Sequence, residues 1–213
     1  HKLGIAYETK GDFLKSIMYY KKSVALSLQY NIDENLFDSY LNMGLLSIIS
    51  KQLDSAGYYL NKAKFYVLKS PANDKWIDLY DNLGDLAFER GNYEKSLEYD
   101  NKALMYMLPK YKPRSPIENP SLAETLISDK PRMLRSLSSR AYSLLQLFYS
   151  THDVTYLKSA YGAYSLSDFV MDLSRSSLLT DASKTNLVEQ AKPIYENAIE
   201  TCWQLYKLTH CDS

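Results

Sequence analysis

Five side chains carry the nucleophilic and metal-ligating chemistry open to this chain: Cys202, Cys211, His1, His152 and His210. A cysteine nucleophile needs its thiolate held against an imidazole, and a structural zinc needs four ligands at suitable spacing. The pattern meets neither requirement. Cys202 falls in register with Leu187, Ala191, Ile194, Ala198 and Leu205, so it is expected on the inner face of a helix as a small core side chain. His210 and Cys211 are neighbours in sequence, without two further ligands at zinc spacing. There is no glycine-rich phosphate loop and no His-Glu pair at metalloprotease spacing. The expectation is a chain with no catalytic residue, no metal and no cofactor. Two cysteines nine residues apart are too few for a disulfide framework and fit a reduced, cytoplasmic compartment.

The polar residues that recur say more. Asn82 lies forty residues after Asn42, and Lys2 takes the same column forty residues earlier. Other columns recur with them: Gly84, Gly44 and Gly4; Leu83, Met43 and Leu3; Tyr99, Tyr59 and Tyr19; Lys102, Lys62 and Lys22; Ala103, Ala63 and Ser23. A fixed period of this size marks a repeat architecture. Within one unit, Leu79, Leu83, Leu86 and Ala87 have helical spacing. Arg90-Gly91-Asn92 then ends the helix, with Gly91 free to adopt the left-handed conformation. A second helix carries Tyr93, Leu97, Leu104 and Met107. Small residues (Gly84, Ser96, Ala103) fall where the two helices must come close.

These residues resemble the tetratricopeptide repeat, whose pattern runs W-x2-L-G-x2-Y, then A-x3-F, then P. Leu3-Gly4-Ile5-Ala6-Tyr7 fits its L-G-x2-Y part, Tyr40 and Tyr80 take the tryptophan column, and Ser16-x3-Tyr20 and Ala56-x3-Leu60 fit the second helix. Asp100 departs, standing where an aromatic is expected, and the period of forty exceeds the usual 34. The resemblance implies an all-α, right-handed superhelical solenoid of antiparallel helix pairs that binds a protein or peptide. It also implies that first helices line a concave groove. There Asn42 and Asn82 could donate to and accept from an extended peptide backbone. Asp78, Asp81, Asp85 and Glu89 step by three or four along one helix face. As a groove wall this face suits a Lys- or Arg-bearing ligand; as a plain surface it is a solvated acidic face near a helix N-terminus. Asp38, Leu41, Asn42 and Leu45 form the corresponding, more apolar patch one repeat earlier.

Three hairpins, the first incomplete, are expected over 1–108, a proline-rich connection over 109–131, and longer helical hairpins over 132–213. Ser70 to Asp74 reads as a turn ending in a capping residue. Pro109, Pro113, Pro116, Pro120 and Pro131 forbid a helix through the connection. With Lys110, Lys112 and Arg114 among them, it reads either as a strap laid over the repeats or as a basic segment that a partner touches. Beyond it, Leu134 to Phe148, Leu157 to Met171 and Leu187 to Leu205 mark three helices, with a break at Ser174–Thr180 and Pro193 inside the third. His1 opens partway through a helix, and Leu205–Asp212 echoes Leu147–Asp153, so the chain is expected to be part of a longer protein.

Glu118-Asn119-Pro120, Lys130–Leu137, Tyr156–Ala160 and Ala191–Glu196, set after forty-residue repeats, are similar to the helical region preceding the peptidase in bacterial CHAT proteins (caspase-like, HetF-associated, with tetratricopeptide repeats). That resemblance implies a regulatory recognition module whose partners include the protein's own C-terminal domain. The other reading is a stand-alone adaptor or co-chaperone; its carboxylate-clamp form needs groove cations, and Asp78 and Asp81 have the wrong sign. Zero net charge, with 25 basic and 25 acidic residues, argues against nucleic acid or an anionic membrane as a general partner. No apolar run reaches transmembrane length. If Gly84 is a packing position, Gly84→Leu will destabilise the third hairpin by about 1–3 kcal/mol through overpacking, and an unchanged melting temperature would contradict the repeat alignment.

Overall fold

The computed structural model describes residues 1–30, 35–69, 71–126, 129–175 and 181–210, with only the backbone described for 181–190. It is all-α: ten helices and no strand among the described residues. The repeat is written first in its turns. Gly11 and Gly91 take positive φ (73° and 74°), and Lys51 takes φ 58° in the same column. Glycine does this freely, whereas an L side chain costs roughly 1–2 kcal/mol. The Lys51 turn is closed by Lys51 N–H to Ile48 O (2.9 Å) and Gln52 N–H to Ser47 O (2.8 Å). Asp12 and Asn92, one residue after each glycine, cap the next helix by accepting from Lys15 N–H (3.2 Å) and Lys95 N–H (3.1 Å).

The chain divides into two units, 1–91 and 92–213. The first holds α1 (Lys2–Thr9), α2 (Phe13–Gln29), α3 (Leu36–Ile49), α4 (Leu53–Lys69) and α5 (Asn73–Glu89). Ten of the fourteen residues of α3 are buried, because it packs against α2, α4 and α5. Its Leu36, Met43 and Leu46 meet Tyr20 and Val24 of α2 and Ala56, Leu60 and Val67 of α4 in one core. The glycine columns explain the closeness. A Cβ on Gly4 would stand 2.6 Å from the Tyr20 ring, and one on Gly44 2.6 Å from Leu60 Cδ2. The expected cap of α5 is absent: the helix starts after Ala72, which is extended and makes no side-chain cap bond. Asp74 lies in the first turn instead, where its charge suits the helix N-terminus.

The second unit holds α6 (Tyr93–Met107), α7 (Leu122–Thr125), α8 (Lys130–Thr151), α9 (Val154–Arg175) and α10 (Asp181–His210). Here α8 is central, packed on α6, α9 and α10, with Leu137, Leu144, Leu157, Ala160 and Ile194 in its core. Asp153 caps α9 through Thr155 N–H (2.9 Å). Ser174 and Arg175, expected in a break, still belong to α9; the rest of that break, 176–180, lies outside the described residues. α10 runs through Pro193 as one helix.

The proline-rich segment is held by a buried cation. Arg140 of α8 is fully buried. Its Nε donates to Asn119 Oδ1 (3.0 Å), its Nη2 to Glu118 O (3.0 Å), and its Nη1 to Asn101 Oδ1. Asn101 donates onward to Pro116 O (2.9 Å), Tyr111 to Glu118 O (2.5 Å) and Asn119 to Ser159 O (2.8 Å). Gly162 of α9 makes the room, since a Cβ there would sit 2.6 Å from Asn119 Nδ2. Burial pushes the Arg140 guanidinium below its ordinary pKa, and the charges of Tyr111 and Asp100 oppose this. A lysine cannot reproduce this fork of donors. Arg140→Lys should therefore cost about 3–5 kcal/mol in urea unfolding, as for a buried charge network with one partner removed. It should also speed trypsin cleavage after Lys110 or Arg114. Wild-type stability together with a wild-type cleavage rate would refute the strap.

Candidate binding surfaces

In the first unit, Asp38, Asn42, Leu45 and Ile49 follow one another at helical spacing along α3, and each stays half-buried or exposed while ten of their neighbours on the helix are buried. This is the only side of α3 left open. On α5 the corresponding line is not uniform. Asp78 and Asp85 are half-buried and Glu89 is exposed, but Asp81 and Asn82 are buried, at 1% and 2% exposure. The expected asparagine column thus splits: Asn42 reaches the surface and Asn82 does not. The acidic stripe splits in the same way, because three-or-four spacing spans more of the helix circumference than its open side.

The Asn42 amide is anchored. It donates to Tyr20 OH (3.0 Å), and Tyr20 donates to Glu8 Oε2 (2.7 Å). Burial, then the bond to Glu8, pushes the Tyr20 phenol upward. This relay fixes the Asn42 side chain and leaves its carbonyl oxygen to accept. Near the start of α3, Asp38 feels Asp74, Lys75 and Asp78 of α5. Burial is the main cause that raises its pKa; Lys75 opposes, while Asp78 and Asp74 add to the rise. The Lys75 ammonium also lies 5.4 Å over the Phe37 ring. Glu89 at the far end of α5 is bonded to Lys51.

The second unit has a cleft of ≈ 630 Å³ between α6, the proline-rich segment and the start of α9. Leu97, Met105, Ile117 and Tyr156 give it apolar walls, and Glu94 and Asp153 lie on its lining. Glu98, also in the lining, is held by Lys102 (2.6 Å) and Lys95 (2.7 Å), which lower its pKa. Lys110, Lys112 and Arg114 are all exposed. Nothing in the repeat pattern pointed to this cleft. Asp100, the carboxylate in an aromatic column, is fully buried and does not line the cleft. The Ser143 hydroxyl bridges its Oδ2 (3.2 Å) and Ser96 Oγ (2.9 Å).

The cysteine expectation needs correcting. Cys202 is exposed. On α10 the inward positions are Ala191, Ile194 and Thr201, and Cys202 is one residue, about 100°, round from the last. Cys211 lies outside the described residues. His1 packs on the Tyr20 ring (5.3 Å), His152 ends α8 at φ 57°, and His210 stacks on Tyr206 (4.2 Å). Among the described residues, no group of three His, Cys, Asp or Glu side chains could hold a metal ion. No described helix is long and apolar enough to cross a membrane.

Residues 1–30, which form α1 and α2, match the family model for the tetratricopeptide repeat. The chain therefore carries a tetratricopeptide region, and repeats of this kind generally mediate contacts between proteins through extended surfaces. No curated protein matches the chain.

The raised Asp38 pKa has a definite sign. The folded state holds this proton more tightly than the unfolded chain, whose value is near 3.8. The resulting stabilisation is complete below that value and is lost as pH rises through the folded one. Asp38→Asn should leave the melting temperature unchanged at about pH 3 and raise it by a few degrees at neutral pH. Equal shifts at both pH values would contradict this.

Proposed function

We propose that this region is a non-catalytic recognition module of a bacterial, cytoplasmic multidomain protein. Its α3–α5 face takes a peptide that carries Lys or Arg. The observation that carries this reading is Asp38: a half-buried carboxylate on the open side of α3 whose pKa is raised first by burial, with Lys75 opposing and Asp78 and Asp74 adding to the rise. A ligand cation beside Asp38 would favour its ionised form, as Lys75 does, so binding would tighten as Asp38 ionises. Asn42 supplies a fixed polar group, Leu45 and Ile49 an apolar strip for a neighbouring side chain, and Asp85 further charge. Buried Asn82 and Asp81 serve as supports for this face. In the multidomain reading the occupant includes a segment of a following caspase-like CHAT peptidase, and the module regulates that domain. The acidic face also argues against an adaptor that clamps a terminal carboxylate, which requires cations at these positions.

The test is fluorescence anisotropy with a labelled Arg- and Lys-rich peptide of about ten residues. Asp38→Asn with Asp85→Asn should weaken binding by about tenfold, or 1.4 kcal/mol, while circular dichroism stays unchanged. Equal binding by the double variant would sink the acidic-face reading. A gene that continues into a protein with no peptidase domain would sink the regulatory one.

A further inference from the structure

A second surface on the first unit has the opposite character. Along the outer side of α2 lies a depression of ≈ 560 Å³, and another of ≈ 510 Å³ continues it past the turn at Gly11. The two share Leu14, Ile17 and Gln52, so they form one trough. Its floor is apolar. Leu14 is 82% exposed and Met18 40% exposed, with Ile17 and Ala25 between and beyond them. Side chains of this kind left in water on a concave surface mark a binding groove rather than scattered surface apolarity.

The edges are cationic. Lys21 and Lys22 line one stretch and Lys10 the other. α2 carries three lysines and no carboxylate. The carboxylate that does line the trough, Asp12, is engaged by Lys15, both as an ion pair (2.8 Å) and as the helix cap (3.2 Å). Lys22 is exposed, and its ammonium lies 5.3 Å over the Tyr19 ring.

Leu14 to Ala25 spans about 17 Å of helix, or three turns. We infer that the α2 trough docks an acidic amphipathic helix: apolar residues at i, i+3/i+4 and i+7 enter between Leu14, Met18 and Ala25, and flanking Asp or Glu meet Lys10, Lys21 and Lys22. Helix-in-groove recognition has this form. A concave trough suits a cylinder, whereas a lipid headgroup plane would leave its floor unfilled. An apolar floor offers nothing to a sugar-phosphate backbone. The inference is independent of the acidic face described above, since it uses other helices and a ligand of opposite sign.

The probe is a labelled, helix-forming peptide of about twelve residues with leucines on one face and glutamates on its flanks. The control is the same peptide with every glutamate replaced by lysine. The acidic peptide is expected to bind and the control to fail. Binding should weaken in about 0.5 M salt, and Lys21→Glu with Lys22→Glu should lower affinity at least about tenfold. Met18→Asp should do the same through the floor, with the fold monitored by circular dichroism. Amide chemical-shift changes on the acidic peptide should concentrate in α2. No binding, binding that survives both sets of substitutions, or shifts confined to other helices would overturn the proposal. So would tighter binding of phosphatidylserine vesicles than of the peptide.

Discussion

Two helices of a hairpin can approach only as closely as their side chains allow, and in the first unit that limit is set at the glycine column. Gly4 lies against the face of Tyr20, and Gly44 lies against Leu60, each at a separation no Cβ tolerates. The two contacts lie forty residues apart, so the first two hairpins share one packing distance, and the rest of each inherits its geometry from it. The Tyr20 ring does two things at once. Its face fills the space that Gly4 leaves, and its hydroxyl links Glu8 to Asn42. A packing residue thereby aims a surface amide, so the stability of the hairpin and the precision of its outer face have one source.

Forty residues beyond Tyr20 and Leu60, the partners of those glycines, stands Asp100, and the change in chemistry brings a change in architecture. A carboxylate fully removed from water needs compensating charge and hydrogen bonds. In the second unit it receives the Ser143 hydroxyl and the field of Arg140. Arg140, itself buried, extends three donors toward Asn101, Asn119 and Glu118 O and so fixes the proline-rich segment. The prolines keep residues 109–121 from becoming a helix; further on, against the expectation for the whole connection, Leu122–Thr125 form α7 and Pro131 sits in the first turn of α8. The arginine decides where it lies. The wall that Pro116 and Ile117 give to the cleft thus depends on a buried ion of α8, more than twenty residues further along the chain.

The sequence disclosed what depends on period and composition. The forty-residue repeat, the turn at Gly91 and the small-residue columns are local signals, and the all-α fold follows from them, though α7 and the last turn of α9 fall where no helix was expected. Depth was not disclosed. Periodicity assigns Asp81 and Asn82 to a face of α5 but cannot say how far a neighbouring element overlaps that face, and both are buried. Cys202 shows the converse: a spacing that looked inward is exposed, because one residue of rotation separates it from Thr201. The Arg140 network joins residues 21 to 39 positions apart, so no window of sequence contains it. Lys51 at positive φ could be suspected only by noticing that the glycine of the turn column was missing there.

Net charge is the least transferable of these readings. The chain totals zero, which limits its field at long range, beyond roughly a Debye length of 8–10 Å. At the scale of one helix the charges are sorted. α5 carries five carboxylates and one lysine, while α2 carries three lysines and no carboxylate. A tetratricopeptide hairpin favours such sorting, because first and second helices present different sides to solvent and each can be tuned without disturbing the packing columns they share. Neutrality overall keeps either face from attracting polyanions or polycations indiscriminately. The local excess is what a ligand in contact would feel, since attraction between charges a few ångströms apart is screened far less than the field of the whole molecule. Selectivity in such a chain therefore rests on which helix a partner touches, and the small, buried columns set which side chains each helix can show.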